Sequence, residues 1–90
     1  MIWETKKTLT ALINENDEIN FTFRVPTSRD YEELAEEGGS NRSFLKRFLL
    51  SVDGFSSIDD FIECPGTMGL QVVMVKAIGD SAQLNARLKN

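Results

Sequence analysis

Fourteen carboxylates, one thiol and no imidazole are the chemical means of this 90-residue chain. General acid–base catalysis leans most often on His, and zinc sites on clusters of His and Cys. Neither can be assembled here, so the carboxylates are the first candidates. Asp59 and Asp60 are neighbours, and Glu32, Glu33, Glu36 and Glu37 cluster. Adjacent residues of a helix diverge by about 100°, so Asp59 and Asp60 cannot face one another across a substrate. Placed at the start of a short helix, they complement its dipole. The glutamates read as a solvated face. Cys64 has no second Cys and no His to activate it, which makes it a structural thiol rather than a nucleophile. Gly38-Gly39-Ser40 opens a helix, but no Lys stands at the spacing of a phosphate loop. The expectation is a non-enzymatic protein with no catalytic residues, no cofactor and no metal.

Charge and composition narrow the partners. The formal net charge of -4 gives no general attraction to phosphates, so nucleic acid is not expected as a partner. Arg42, Lys46 and Arg47 form a small basic patch that balances the Glu-rich segment before it or meets an acidic partner. A lone Cys excludes a disulfide framework and fits a reducing, cytoplasmic compartment. The N-terminal residues MIWETKKTLT lack the apolar core of a signal peptide. The longest apolar run, residues 72–75, is far short of the ~20 residues of a membrane span. A hydrophobic fraction of 41% is enough for a core. One domain over residues 1–90 is expected, with a β-hairpin in 1–26 and a helical part in 27–90.

The elements follow from periodicity. In residues 19–25, Ile19, Phe21, Phe23 and Val25 alternate with Asn20, Thr22 and Arg24, the period of a half-buried strand. The turn formers Asn14-Glu15-Asn16-Asp17 precede it. Before them, residues 5–13 can place Leu9, Ala11 and Ile13 on one face. Together these segments predict an antiparallel hairpin. Pro26 ends the strand, and Thr27 with Asp30 forms a capping-box pattern for a helix over about 28–37 with a thin apolar face of Tyr31, Leu34 and Ala35. After Gly38-Gly39, a stripe of Phe44, Leu45, Phe48, Leu49 and Val52 predicts a helix over about 41–53. Ser57 and Asp60 cap a short helix with Ile58, Phe61 and Ile62 inward, ended by Cys64-Pro65-Gly66. The last helix starts near Thr67 and runs to about residue 88. Its stripe is Leu70, Val73, Met74, Ala77, Ile78, Ser81, Leu84 and Leu88, and Gly79-Asp80-Ser81 could interrupt it. The fold class is α+β: an N-terminal two-stranded antiparallel hairpin followed by three or four helices, helix-dominated.

The last helix carries a second apolar stripe, Met68, Val72, Val75 and Gly79, at i, i+4, i+7 and i+11. A surface helix needs only one. Either the helix runs through the middle of the domain and buries both faces, or the second face binds an apolar helix of a partner or a second copy of the chain. Exposure of Val72 and Val75 separates the two. Met68 and Gly79 suit an adaptable contact surface. Trp3 either seals the edge of the core or anchors an interface.

The order of these segments resembles small tail assembly chaperones of long-tailed bacteriophages and prophages. The resemblance covers about residues 19–90. It rests on the strand running into Val25-Pro26-Thr27-Ser28-Arg29-Asp30-Tyr31, the helix from Phe44 and Leu45, and the short acidic helix ending near Pro65-Gly66. What it implies is an accessory viral protein in the cytoplasm of a bacterial host. Such a protein binds the hydrophobic tape-measure protein and assists tail-tube assembly by protein–protein interaction, and self-association is a further expectation. A different class, a small acidic regulatory adaptor or inhibitor of a host protein, would need a contiguous acidic face built from Glu32, Glu33, Glu36, Glu37, Asp59 and Asp60.

Overall fold

A computed structural model of the protein describes residues 5–83. Trp3, Leu84 and Leu88 lie outside the described residues.

The alternating residues form the hairpin. Strands β1 (Lys6–Leu12) and β2 (Glu18–Arg24) pair antiparallel in a register that sets Leu9 opposite Phe21 and Ala11 opposite Ile19. The turn is held by Asn14. Its Oδ1 accepts from the main-chain N–H of Asn16 at 2.8 Å and of Asp17 at 3.0 Å, while Ile13 N donates to Asp17 O at 2.8 Å. An Asn side chain that captures main-chain donors two and three residues ahead folds the chain back locally. Ile19, Phe21 and Phe23 turn inward and are buried. On the opposite, solvent face, Thr8 and Thr22 share a hydrogen bond of 2.8 Å, and Thr10 donates to Asn20 at 2.6 Å. The face expected for β1 is buried only in part: Ala11 is buried, Leu9 is 37% exposed and Ile13 is exposed. β1 is the outer strand, and the helical layer reaches Ala11 without covering its neighbours.

Helix α1 (Ser28–Glu36) starts with the anticipated box. Thr27 Oγ1 accepts from Asp30 N at 3.3 Å, and Asp30 Oδ2 accepts from Thr27 N at 2.9 Å. Of its apolar residues only Leu34 is buried; Tyr31 packs against the Phe44 ring at 6.2 Å and Ala35 is exposed. Ion pairs compensate. Arg24 of β2 grips Asp30 with both terminal nitrogens, at 2.8 and 3.2 Å, and Arg47 reaches Glu33 at 2.7 Å and Glu37 at 2.9 Å.

Helix α2 (Asn41–Phe48) is shorter than its apolar stripe. The sequence predicts helix to about residue 53, but Leu49 is already extended and residues Leu49–Val52 form strand β3. β3 pairs antiparallel with the free side of β2, Val52 opposite Phe21 and Leu49 opposite Phe23, with a bulge that leaves Leu50 45% exposed. Leu49 and Val52 are inward under either conformation, so the hydrophobic pattern cannot distinguish them. Pairing with the unsatisfied main chain of β2 decides it.

Gly54 then turns the chain at φ +88°, and nothing lies within 4 Å of the Cβ it lacks. Gly54→Ala is therefore expected to cost about 1–2 kcal/mol through backbone strain alone. Gly69→Ala, where a methyl group meets open space on a helix, should gain about 0.5–1 kcal/mol. Urea midpoints at unchanged slope would read both.

Helix α3 (Ile58–Glu63) is capped by Ser57, whose Oγ accepts from Asp60 N at 3.1 Å. Phe61 is fully buried, and Ile58 and Ile62 are packed against the core. Helix α4 (Met68–Ser81) packs on α2 and reaches β1. It runs through Gly79 and Asp80 and ends at Ser81 with Ala82 as its C-cap, at the Gly79-Asp80-Ser81 segment expected to be able to interrupt it and short of the predicted end near residue 88. The buried apolar residues of the sheet and helices form one cluster, with Phe23, Leu45, Phe48, Phe61, Met74 and Ile78 fully enclosed. The fold is α+β, with the hairpin extended by β3 into a three-stranded sheet of order β1-β2-β3. Among the described residues no helix is long and apolar enough to cross a membrane.

Candidate protein-interaction face

Helix α4 is positioned by its first turn. Thr67 makes no side-chain cap of its own helix. Its hydroxyl faces the last carbonyls of α3 instead, 2.8 Å from Cys64 O and 3.1 Å from Phe61 O. Gln71 Nε2 donates to Thr67 Oγ1 at 2.9 Å and to Ile62 O at 3.1 Å. These bonds satisfy carbonyls that a helix end leaves open and anchor the start of α4 on α3. Met74 and Ile78 then descend into the core, and Leu70, Val75 and Ala77 pack at its margin.

Apolar residues nevertheless surround α4 on all sides. Met68 is 79% exposed, Val72 55% and Val73 52%. With about 100° per residue these three, and the open Gly69 between them, lie on one side of the helix. Farther along that side Lys76 and Asp80 form an i,i+4 pair at 3.0 Å.

The expected interaction stripe is thus divided. Met68 and Val72 lie on this face. Val75 is half-buried against the core, and Gly79 is half-buried, with the Tyr31 hydroxyl 3.5 Å from the position its Cβ would take. Val73, expected in the core stripe, joins the exposed face instead. No sequence signal marked this: adjacent apolar residues are both buried on α2, Phe44 with Leu45, and both exposed here. The two readings of α4 each hold for part of the helix: Val75 and Gly79 are packed within the chain, Met68 and Val72 are not.

The charged residues are largely turned toward one another. Glu33 and Glu37 pair with Arg47, Asp59 with Lys46 at 3.3 Å, and Glu63 with Arg42. Asp60 Oδ2 accepts from Ser56 Oγ at 2.5 Å. The basic patch of α2 therefore divides, Arg47 toward α1 and Arg42 and Lys46 toward α3. Glu32 and Glu36 stay exposed on α1.

Among the described residues four titrating groups are displaced, all away from neutrality. Hydrogen bonds from Arg24 hold the Asp30 carboxyl well below its ordinary value, against the opposing effect of burial. Hydrogen bonding from Arg47 lowers Glu33, and that same bond raises Arg47. Burial, with Asp80 nearby, raises Tyr31. The shifts of Asp30, Glu33 and Arg47 reflect their ion pairs, and that of Tyr31 reflects burial. A surface depression of about 280 Å³ lies over the Lys46–Asp59 pair, lined also by Ser57 and Ile58. Among the described residues no group of three or more Cys, Asp or Glu side chains is placed to hold a metal ion.

Comparison with family models, curated proteins and solved structures finds no match.

Proposed function

We propose that this protein is a non-enzymatic tail assembly chaperone of a phage or prophage, acting in the cytoplasm of a bacterial host. Its client is an amphipathic helical segment of the tape-measure protein, laid against Met68, Val72 and Val73 of α4. The observation that carries the reading is that face: three large apolar side chains exposed together on a helix whose other sides are already packed. A client helix laid along it buries its own apolar residues, and Gly69 allows close approach. Tail-tube subunits join the same assembly. Repeated copies along one long client would turn weak contacts into firm retention. The pairing of Glu33, Glu37 and Asp59 with cations of the same chain favours this role over an acidic adaptor.

Val72→Asp and Val73→Asp test the proposal. Each should weaken client binding about tenfold to a hundredfold, because a carboxylate is buried in an apolar contact. Each should change folding stability by no more than about 0.5 kcal/mol, as expected of an exposed site. Co-purification of tape-measure and tail-tube proteins from prophage-bearing cells, with the wild type and both variants, reads the outcome. A wild type that never retains them, or variants that retain them equally well, would overturn the reading.

A further inference from the structure

β1 is an edge of the sheet, and the phase of its pairing shows what that edge offers. Val25 N donates to Thr5 O, and Ile13 N to Asp17 O, both at 2.8 Å. These pairs continue the register of Leu9 with Phe21. In an antiparallel ladder, residues that bond the neighbouring strand alternate with residues that bond away from it. Odd-numbered residues of β1 therefore bond β2. Lys6, Thr8, Thr10 and Leu12 direct N–H and C=O outward, where no strand among the described residues meets them. The other edge differs: β3 has four residues and carries the bulge at Leu50, features that protect an edge.

We propose that a second copy of this chain pairs with this edge, β1 against β1 and antiparallel, about a two-fold axis at Leu9. This register matches the whole strand. Lys6 lies opposite Leu12 of the second copy, and Thr8 opposite its Thr10. Each outward residue gives one main-chain bond and accepts one, about eight in all. Inward residues meet inward residues and outward meet outward, so the two sheets become one with a common core face. Leu9, 37% exposed in the single chain, meets Leu9 of the second copy across the axis and covers surface that the helices leave open. Charge selects the orientation. Leu12 is paired with Glu18, so each Lys6 approaches a Glu18 of the other copy beyond that Leu12. Parallel pairing of the same outward edges would instead need an offset of one residue, which sets Lys6 beside Lys7 and joins the core face of one copy to the solvent face of the other.

This surface is separate from α4, so failure of one proposal leaves the other standing. The full chain at tens of micromolar should sediment at twice the mass of one chain. Thr8→Pro removes an outward N–H and the exposed Thr8–Thr22 hydroxyl bond but leaves the main-chain bonds to β2 in place, and it should sediment as a monomer with an unchanged circular dichroism spectrum. Leu9→Lys, which opposes like charges across the axis at a part-exposed site, should do the same even if the proline variant fails to fold. In a Cys64→Ser background, Leu9→Cys should cross-link between chains at least about tenfold faster than Leu12→Cys, because only position 9 faces itself at disulfide distance. A wild type that is monomeric at millimolar concentration would overturn the inference. So would a dimer that survives both Thr8→Pro and Leu9→Lys, or equal cross-linking at positions 9 and 12.

Discussion

Phe48→Ala is expected to remove about 3–5 kcal/mol of folding stability, the cost of truncating an enclosed aromatic side chain. Phe48 is fully buried. Its ring meets Phe44 edge-on at 4.8 Å, and the Arg24 guanidinium lies 4.9 Å from its centroid. It is also the last residue of α2, where the chain turns into β3. A void there loosens α2, the β2–β3 pairing and the platform beneath Arg24 together. A domain of this size holds about 5–10 kcal/mol in total, so the variant should lose from about a third to all of it. At about 4–8 °C per kcal/mol, the thermal midpoint should fall by roughly 12–40 °C. Val72→Ala, a similar deletion on the exposed face, should stay within about 0.5 kcal/mol of the wild type. Thermal and urea unfolding followed by circular dichroism give both numbers. Comparable losses at the two sites would mean that α4 buries Val72 in solution.

The second large effect belongs to Asp30, a charged residue only 9% exposed. Its carboxylate accepts from both terminal nitrogens of Arg24, from Thr27 N at 2.9 Å and from Thr27 Oγ1 at 3.0 Å, and Arg47 stands at 3.6 Å. Asp30→Ala removes these partners at once, together with half of the α1 capping box. It should cost about 2–3 kcal/mol at neutral pH, the scale of hydrogen bonds to a charged group beside a partly exposed arginine. The sign of its pH dependence follows from the direction of the shift. The folded-state pKa lies below the ordinary 3.8, so the folded protein holds its proton less tightly than the unfolded chain. This contribution is complete above pH 3.8 and is lost as pH falls through and below that value. The gap between wild type and Asp30→Ala should therefore be constant from about pH 7 to 5 and narrow steadily below about pH 4. Glu33 is shifted the same way by Arg47, but it is present in both proteins and cancels in the difference. Urea unfolding of the two proteins across this range decides it; parallel curves down to the lowest pH would exclude a structural role for the Asp30 charge.

Both effects arise away from the proposed client face of α4. The cluster of Arg24, Asp30, Arg47, Glu33 and Glu37 fastens α1, whose apolar face is too thin to hold it, onto β2 and α2. The surface left for partners is apolar on α4 and main-chain on β1. One suits a helix and the other a strand.

Local chemistry made much of the fold legible. The alternation of Ile19, Phe21 and Phe23 fixed a strand. The Asn14 turn, the Thr27–Asp30 box and the Ser57 cap each form within a few residues, so they could be read from spacing alone. The spacing of Phe44, Leu45 and Phe48 likewise declared a helix. The same rule failed at the next residue, Leu49, because an inward stripe is satisfied equally by helix or strand there and the bare edge of β2 tips the balance. It failed again on α4, where two apolar stripes were visible but not which residues of each would be covered. That depended on where α2, β1 and Tyr31 come to rest. Val75 and Gly79 were packed by neighbours distant in sequence, while Val72 and Val73 were left open. The network around Asp30 was equally hidden, since β2, α1 and α2 meet there only after the sheet has formed. By itself, then, the sequence determined periodicities and caps, interactions spanning a few residues and one turn of chain. Tertiary structure alone decided the last strand, the exposed side of α4 and the free edge of β1. Burial and strand pairing are properties of elements brought together, and no local pattern encodes which surface remains without a neighbour.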